Sequence, residues 1–236
     1  MNQKVVWITG ASTGIGYEIA KLFARNGYIV AATARRKSRL VALVNELKFA
    51  GYEAHAIVCN VQSERNVVST KKKILEKCGT IDILINNAGV TIFKSFIDTK
   101  SWEYDYVMDT NLRGSFLTTR TVLPVMMKKK RGHIINVLSV ASNTVFEDSS
   151  VYSASKAGLQ AISNVLRKEV RGYNIKISNI LPGNVDTPMW DTKVRARYKN
   201  RMLNPEEVAE VVLAVANQPK KVVVEDVVIR PIKGDL

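Results

Sequence analysis

The chain has 236 residues, 46% of them hydrophobic and 24% charged, with a formal net charge of +14. That length suits one α/β unit around a single core, and the composition excludes a disordered chain. No run approaches the ~18 consecutive apolar residues of a membrane span.

Met1-Asn2-Gln3-Lys4 leads directly into Val5-Val6-Trp7-Ile8, without the apolar core and cleavage site of a secretion signal. A cytoplasmic location and no membrane partner are therefore expected. The net charge attracts polyanions in general. No zinc-finger spacing or RNA-recognition aromatics accompany it, so no nucleic-acid partner is expected and the charge reads as solvated surface. Cys59 and Cys78 form no Cys-x-x-Cys pair, read as reduced thiols, and no metal site is expected.

Short apolar runs alternate with helical patterns along the chain. Strands are expected at 5–9, 29–33, 54–58, 81–86, 133–139, 176–181 and 227–229. Helices are expected at about 15–25, 40–50, 64–77, 112–130, 151–170 and 205–216. Strands that are apolar throughout are buried on both faces, and the alternation predicts a single-domain α/β fold. It is a Rossmann-type, doubly wound parallel sheet over residues 1–236, with helices on both faces. Ligands of such a sheet bind at the carboxyl ends of its strands.

The first strand end carries Thr9-Gly10-Ala11-Ser12-Thr13-Gly14-Ile15-Gly16 and runs straight into a helix. Glycines there let backbone approach a pyrophosphate, and the helix N-terminus offers free N–H groups to it. The second strand ends in Ala34-Arg35-Arg36-Lys37, with no nearby carboxylate to hold a ribose 2′-OH. A guanidinium there suits the 2′-phosphate of NADP(H), with Arg35 as principal contact and Arg36 and Ser12 as helpers.

Tyr152 and Lys156 stand at i and i+4, on one face of a helix. A phenol of pKa about 10 needs a neighbouring cation to act as an acid/base near neutrality. The expected role of Lys156 is to lower that pKa. Ser139, at the end of the fifth strand, supplies a hydroxyl for the same substrate oxygen.

These residues, with Asn86-Asn87-Ala88-Gly89, Asn111 and Pro182-Gly183, resemble the short-chain dehydrogenase/reductase family, in matching order and spacing from Lys4 to about Thr187. The resemblance implies that Tyr152 is the acid/base and that Ser139 orients the substrate oxygen. It implies that Lys156 binds the nicotinamide ribose and that Asn111 holds a water linking Lys156 to solvent. The cofactor site would comprise Gly10, Ser12, Thr13, Gly14, Ile15, Gly16, Arg35, Arg36, Asn60 and Val61 on the phosphate and adenosine side, with Asn87, Ala88 and Gly89. Tyr152, Lys156, Pro182, Gly183, Val185 and Thr187 would stand at the nicotinamide end. Family members usually carry Asp at the position of Asn60, whose carbonyl can still accept from an adenine amino group. The Ser-Ser usual at the fifth strand is Leu138-Ser139 here.

Residues 184–204 correspond to the family's substrate lid. They carry Lys193, Arg195, Arg197, Lys199 and Arg201, and a helix there would align 193, 197 and 201 toward an anionic substrate. The expected function is NADP(H)-dependent interconversion of a carbonyl and a secondary alcohol, by a homo-oligomer acting on a small ketone or 3-oxo acid. The tail lacks the Gly-Gly strand of 3-oxoacyl-carrier reductases, which ranks that activity second. An inactive NADP(H)-sensing or polyanion-binding relative ranks third.

Overall fold

The computed structural model describes residues 3–236. Its elements run β1 (Val5–Thr9), α1 (Gly14–Arg25), β2 (Ile29–Ala34), α2 (Lys37–Phe49), β3 (Ala54–Val58), α3 (Glu64–Cys78) and β4 (Ile83–Asn86). They continue through α4 (Ser101–Met108), a π-helical turn (Asp109–Arg113), α5 (Gly114–Lys129), β5 (Gly132–Val137), α6 (Ser150–Val170) and β6 (Ile175–Pro182). α7 (Thr192–Tyr198), α8 (Pro205–Ala216) and β7 (Asp226–Ile229) complete the chain. The seven strands form one parallel sheet in the order β3-β2-β1-β4-β5-β6-β7. The order reverses between β1 and β4, which is the switch point where such sheets open a crevice.

β1, β4 and β5 are buried along their whole length. One face packs on α1, α2 and α8 through Ile19, Phe23, Leu40 and Val212. The other packs on α3, α5 and α6 through Ile74, Leu117, Met126 and Val170. No helix among the described residues is long and apolar enough to cross a membrane.

Two elements depart from the sequence pattern. α4 was not expected, because Ser101–Met108 buries only Glu103 and Val107 and so shows no apolar stripe. The helix expected from 112 begins instead after the π turn, at Gly114.

A row of three amides ending on a carboxylate crosses the half of the sheet beyond the switch point. Asn86, Asn136, Asn179 and Asp226 are register partners on β4, β5, β6 and β7. Asn86 Nδ2 donates to Asn136 Oδ1 at 2.8 Å, Asn136 Nδ2 to Asn179 Oδ1 at 3.2 Å, and Asn179 Nδ2 to Asp226 Oδ1 at 2.8 Å. Helices close the remaining valences. Thr118 donates to Asn86 Oδ1 at 2.7 Å, and Asn136 Nδ2 donates to Ser163 Oγ at 2.9 Å. Arg167 grips both oxygens of Asp226, at 2.9 and 3.0 Å. Burial raises the Asp226 pKa, but the hydrogen bonds and charge of Arg167 and the Asn179 amide outweigh it and hold the carboxyl below its ordinary value.

Buried donors and acceptors cost most when left unpaired. Replacing Asn136 with Leu strands the Asn179 carbonyl oxygen and one Asn86 N–H. We expect Asn136→Leu to lower the urea-unfolding free energy by about 3 kcal/mol with little change in the slope. Lys72→Ala, in the exposed Lys72–Glu76 pair, should change it by less than about 0.5 kcal/mol.

Candidate active site

The carboxyl ends of β1, β2, β4, β5 and β6 border a cleft of about 1060 Å³, at the upper end of small-molecule sites. Every residue expected to touch the cofactor lines it except Gly16.

The turn after β1 is held tight against the loop after β4. Thr9 Oγ1 accepts from the N–H groups of Asn87 and Ala88, each at 3.0 Å. Asn87 Nδ2 returns a bond to Thr9 O at 3.0 Å. Gly10 has φ +68°, and a Cβ there would lie 2.8 Å from the Ala88 Cα. A Cβ on Gly16 would meet Asn87 Nδ2 at 2.3 Å. Gly16 therefore seats the turn on Asn87 from beneath rather than lining the cleft. Thr13 precedes α1 without capping it, and the first turn carries no acid. The N–H groups of that turn, with the positive end of the helix dipole, form a cradle suited to a pyrophosphate.

Two guanidinium groups stand at one end of this cradle. Arg36 donates to Thr13 Oγ1 at 3.0 Å and lies 3.4 Å from Ser12 Oγ. Arg35 donates to the Tyr106 hydroxyl at 3.1 Å, its guanidinium carbon 5.8 Å from that ring's centre. Neither has a carboxylate within 4.0 Å among the described residues. Asn60 Oδ1 accepts from the Gln62 N–H at 3.2 Å, which leaves its second lone pair for another donor. The loop turn, the uncapped helix and the paired arginines fit a dinucleotide carrying an extra phosphate.

At the other end, Ser139 begins the turn Val140–Ser142 and its Oγ accepts from the Ala141 N–H at 3.1 Å. Tyr152 and Lys156 lie on the first turns of α6. Lys156 Nζ is 5.6 Å from the Tyr152 ring centre and donates to Val137 O at 2.8 Å. Asn111, in the π turn, lies behind the cleft wall rather than on it. Its Oδ1 accepts from the Val90 N–H at 2.8 Å, and its Nδ2 donates to Val90 O at 2.9 Å and Ser155 Oγ at 3.0 Å. Gly89 joins these groups: a Cβ there would sit 3.5 Å from Asn111 Oδ1 and 3.7 Å from Lys156 Nζ.

Burial dominates the titration of this pair. It lowers the Lys156 ammonium to about 8, since little there repays loss of water. It also raises the Tyr152 phenol, against an opposing hydrogen bond from Ser139. The expected lowering of the Tyr152 pKa by Lys156 is therefore corrected for this structure. At 5.6 Å from the ring, a lysine that itself loses charge readily does not offset the desolvation of the phenol.

The lid differs from expectation as well. α7 ends at Tyr198, and Arg201 falls in a separate turn, Lys199–Arg201. The stripe of 193, 197 and 201 does not form, because the helix is too short to carry it. Several cleft residues follow no motif: Tyr106 from α4, and Phe93 and Trp190, whose rings stack with centres 5.2 Å apart beside Tyr152. Their aromatic character was visible in the sequence, but only the fold brings them to the cleft.

A family model described as short chain dehydrogenase matches residues 4–197. An uncharacterized oxidoreductase of Staphylococcus saprophyticus is 37% identical, across 98% of this chain and 99% of its own length. A sepiapterin reductase of Chlorobaculum tepidum is 34% identical, across 98% of each. Among solved structures, a metagenomic short-chain oxidoreductase in complex with NADP superposes with a TM-score of 0.85 at 31% identity, covering 97% of this chain and 96% of that one. The closed form of a serine dehydrogenase complexed with NADP+ gives 0.92 at 30% identity, covering 98% and 96%. Over a matching fold, this chain belongs to the short-chain dehydrogenase family of oxidoreductases.

Proposed function

We propose that the protein is an NADP(H)-dependent reductase that converts a carbonyl to a secondary alcohol, with Tyr152 as the proton donor. The observation that carries this reading is the convergence of Ser139, Tyr152, Lys156 and Gly89 at one end of a cleft whose other end holds Arg35 and Arg36. When bound, the nicotinamide supplies the hydride. The Ser139 hydroxyl orients and polarises the carbonyl oxygen. The Tyr152 phenol, its pKa raised by burial, delivers its proton to that oxygen. Lys156 holds the ribose, and Asn111 holds a water that links Lys156 to solvent, the route by which the phenol is reprotonated. Residues 184–204 act as the substrate lid.

The preference for NADP(H) over NAD(H) rests on Arg35 and Arg36 and on the NADP bound by the similar structures. Two readings of the substrate compete with a small ketone or oxo acid. The stacked Phe93 and Trp190 favour a flat ring system such as sepiapterin, the substrate named for one relative. Exposed Lys193 and Arg197 on the lid favour an acidic acyl carrier. A homo-oligomer is proposed by analogy with the family.

NADPH oxidation should be followed with a neutral ketone, acetoacetate, sepiapterin and a 3-oxoacyl thioester. Tyr152→Phe should lower kcat by about 10³-fold while leaving the affinity for NADPH nearly intact. Loss of NADPH binding together with activity would instead mark Tyr152 as structural. Arg35→Asp should raise the KM for NADPH about tenfold or more and narrow the gap to NADH. An unchanged cofactor ratio would remove Arg35 from the phosphate site.

Lys156 gives a further test through stability. Its folded pKa of about 8 lies below the 10.5 ordinary for a lysine. Between these values the unfolded chain binds more protons, so stability contributed by this group rises with pH across that window. The stability of wild type relative to Lys156→Met should therefore rise from pH 8 to 10.5. A flat difference would mean that burial does not depress this amine.

A further inference from the structure

Five basic residues lie on the lid, and four are accounted for outside the cleft. Arg195 Nε donates to Asp186 Oδ1 at 2.6 Å. The Arg197 guanidinium lies 5.2 Å from the centre of the neighbouring Tyr198 ring. Lys193 and Lys199 are exposed to solvent. Arg201 differs from all of these. It lines the cleft, is partly buried, and has no carboxylate within 4.0 Å among the described residues. Its side chain makes one hydrogen bond to protein, to Asp235 O at 3.2 Å.

Backbone pairing brings a second donor to the same wall. Leu203 N–H donates to Asn184 O and Asp186 N–H to Leu203 O, each at 2.8 Å, so the strand-like segment after Gly183 runs beside the segment after Arg201. Asn184 also lines the cleft. The residue is 9% exposed, and its Nδ2 has no hydrogen-bond partner. A buried amide left without an acceptor is costly, and folded proteins keep such groups mainly where a ligand or water completes them.

The wall carries both signs, with Arg201 and Arg230 set against Asp235. Asp235 Oδ2 is paired with Arg230, which is tied in turn to Thr144, while Asp235 Oδ1 is buried without a hydrogen-bond partner beside Gly183. Glu147 and Asp148 also line the cleft, but both are exposed, where solvent screens them. The free donors are thus a planar cationic fork and an amide, next to the Pro182-Gly183 corner.

We propose that Arg201 and Asn184 receive a carboxylate on the carbonyl substrate, so that the protein is a reductase of oxo acids. The inference rests on the reductase reading above. A guanidinium fork matches the two coplanar oxygens of a carboxylate, and the amide adds a third donor. Arg201 supplies this specificity alone among the lid cations. Lys193 and Arg197, which the sequence pattern grouped with it, take no part.

The test compares acetoacetate with methyl acetoacetate, and dihydroxyacetone phosphate with dihydroxyacetone, for wild type, Arg201→Gln, Arg201→Lys, Asn184→Ala and the outlying control Arg197→Gln. Calorimetric titration of malonate into the NADP+-loaded proteins adds a readout free of turnover. Wild type should favour acetoacetate over its ester. Arg201→Gln should lower kcat/KM for acetoacetate by about 10- to 100-fold, chiefly through KM, with a loss of about threefold or less on the ester. Arg201→Lys should recover part of that loss, and Asn184→Ala should show a smaller selective loss. Malonate binding should disappear in Arg201→Gln and persist in Arg197→Gln.

Equal losses on acid and ester, or a matching rise in the KM for NADPH, would overturn the proposal by making Arg201 a structural or cofactor residue. A preference for dihydroxyacetone phosphate over acetoacetate would replace the carboxylate with a phosphate. If wild type reduces the ester and dihydroxyacetone but does not favour acetoacetate, the carboxylate subsite is wrong and the reductase reading stands. If wild type oxidises NADPH with none of the four, malonate decides the subsite, its failure to bind wild type overturning the proposal, while turnover of sepiapterin or the 3-oxoacyl thioester keeps the reductase reading.

Discussion

The row of amides Asn86, Asn136 and Asn179, ending on the Asp226 carboxylate, is the constraint on which the rest of the cleft depends. A parallel sheet is otherwise held by backbone bonds and apolar contacts, both of which tolerate small slips. A chain of buried amides does not, because a slip of one residue moves each amide to the opposite face and leaves its partners unpaired. The loops of the cleft begin within a few residues of these amides. Asn87-Ala88-Gly89 follows Asn86, Ser139 lies three residues past Asn136, and Pro182-Gly183 three past Asn179. The same row fixes α6, since Lys156, Ser163 and Arg167 lie along one helical face and bond to Val137 O, Asn136 and Asp226. Tyr152 rides on that helix. Its position relative to Ser139 is thereby set by contacts far below the cleft.

This arrangement carries an energetic cost at its upper end. Lys156 is buried with one carbonyl partner, and the Tyr152 phenol is desolvated beside it. Neither placement favours folding. Burial of the phenol keeps its proton in place, which suits the proposed donor role and is the usual exchange of stability for function at a site. The basic character of the chain acts locally within the same logic. Arg35 and Arg36 face the phosphate end and Arg201 the substrate end, so one cleft presents cations at both extremities.

Most of the sheet was legible in the sequence because its strands are buried on both faces and read as continuous apolar runs. The proposed catalytic and cofactor positions could be picked out because the chemistry requires particular residue types at fixed offsets from strand ends: Gly10 at a positive φ, Tyr152 four residues before Lys156. α4 was not legible, since eight residues with two buried side chains carry no periodic signal, and Tyr106 went unseen with it. The lid was misread for a related reason. Its cations were spaced for a helix, but Asp191 starts a helix that stops at Tyr198, and the segment beyond it is fixed by the pairing of Leu203 with Asn184 and Asp186, which no local preference encodes. The burial that raises Tyr152 was likewise invisible, being a property of the packed cleft and not of the Tyr-x-x-x-Lys spacing.

The most direct test of the account follows the hydride itself. NADPH carrying deuterium at both C4 positions should be turned over with the best carbonyl substrate and the product examined by mass spectrometry. The account predicts one deuterium in the alcohol, on the former carbonyl carbon, with none entering from deuterated solvent at that carbon. Product alcohol without the label, or with solvent deuterium on carbon, would contradict hydride transfer across this cleft.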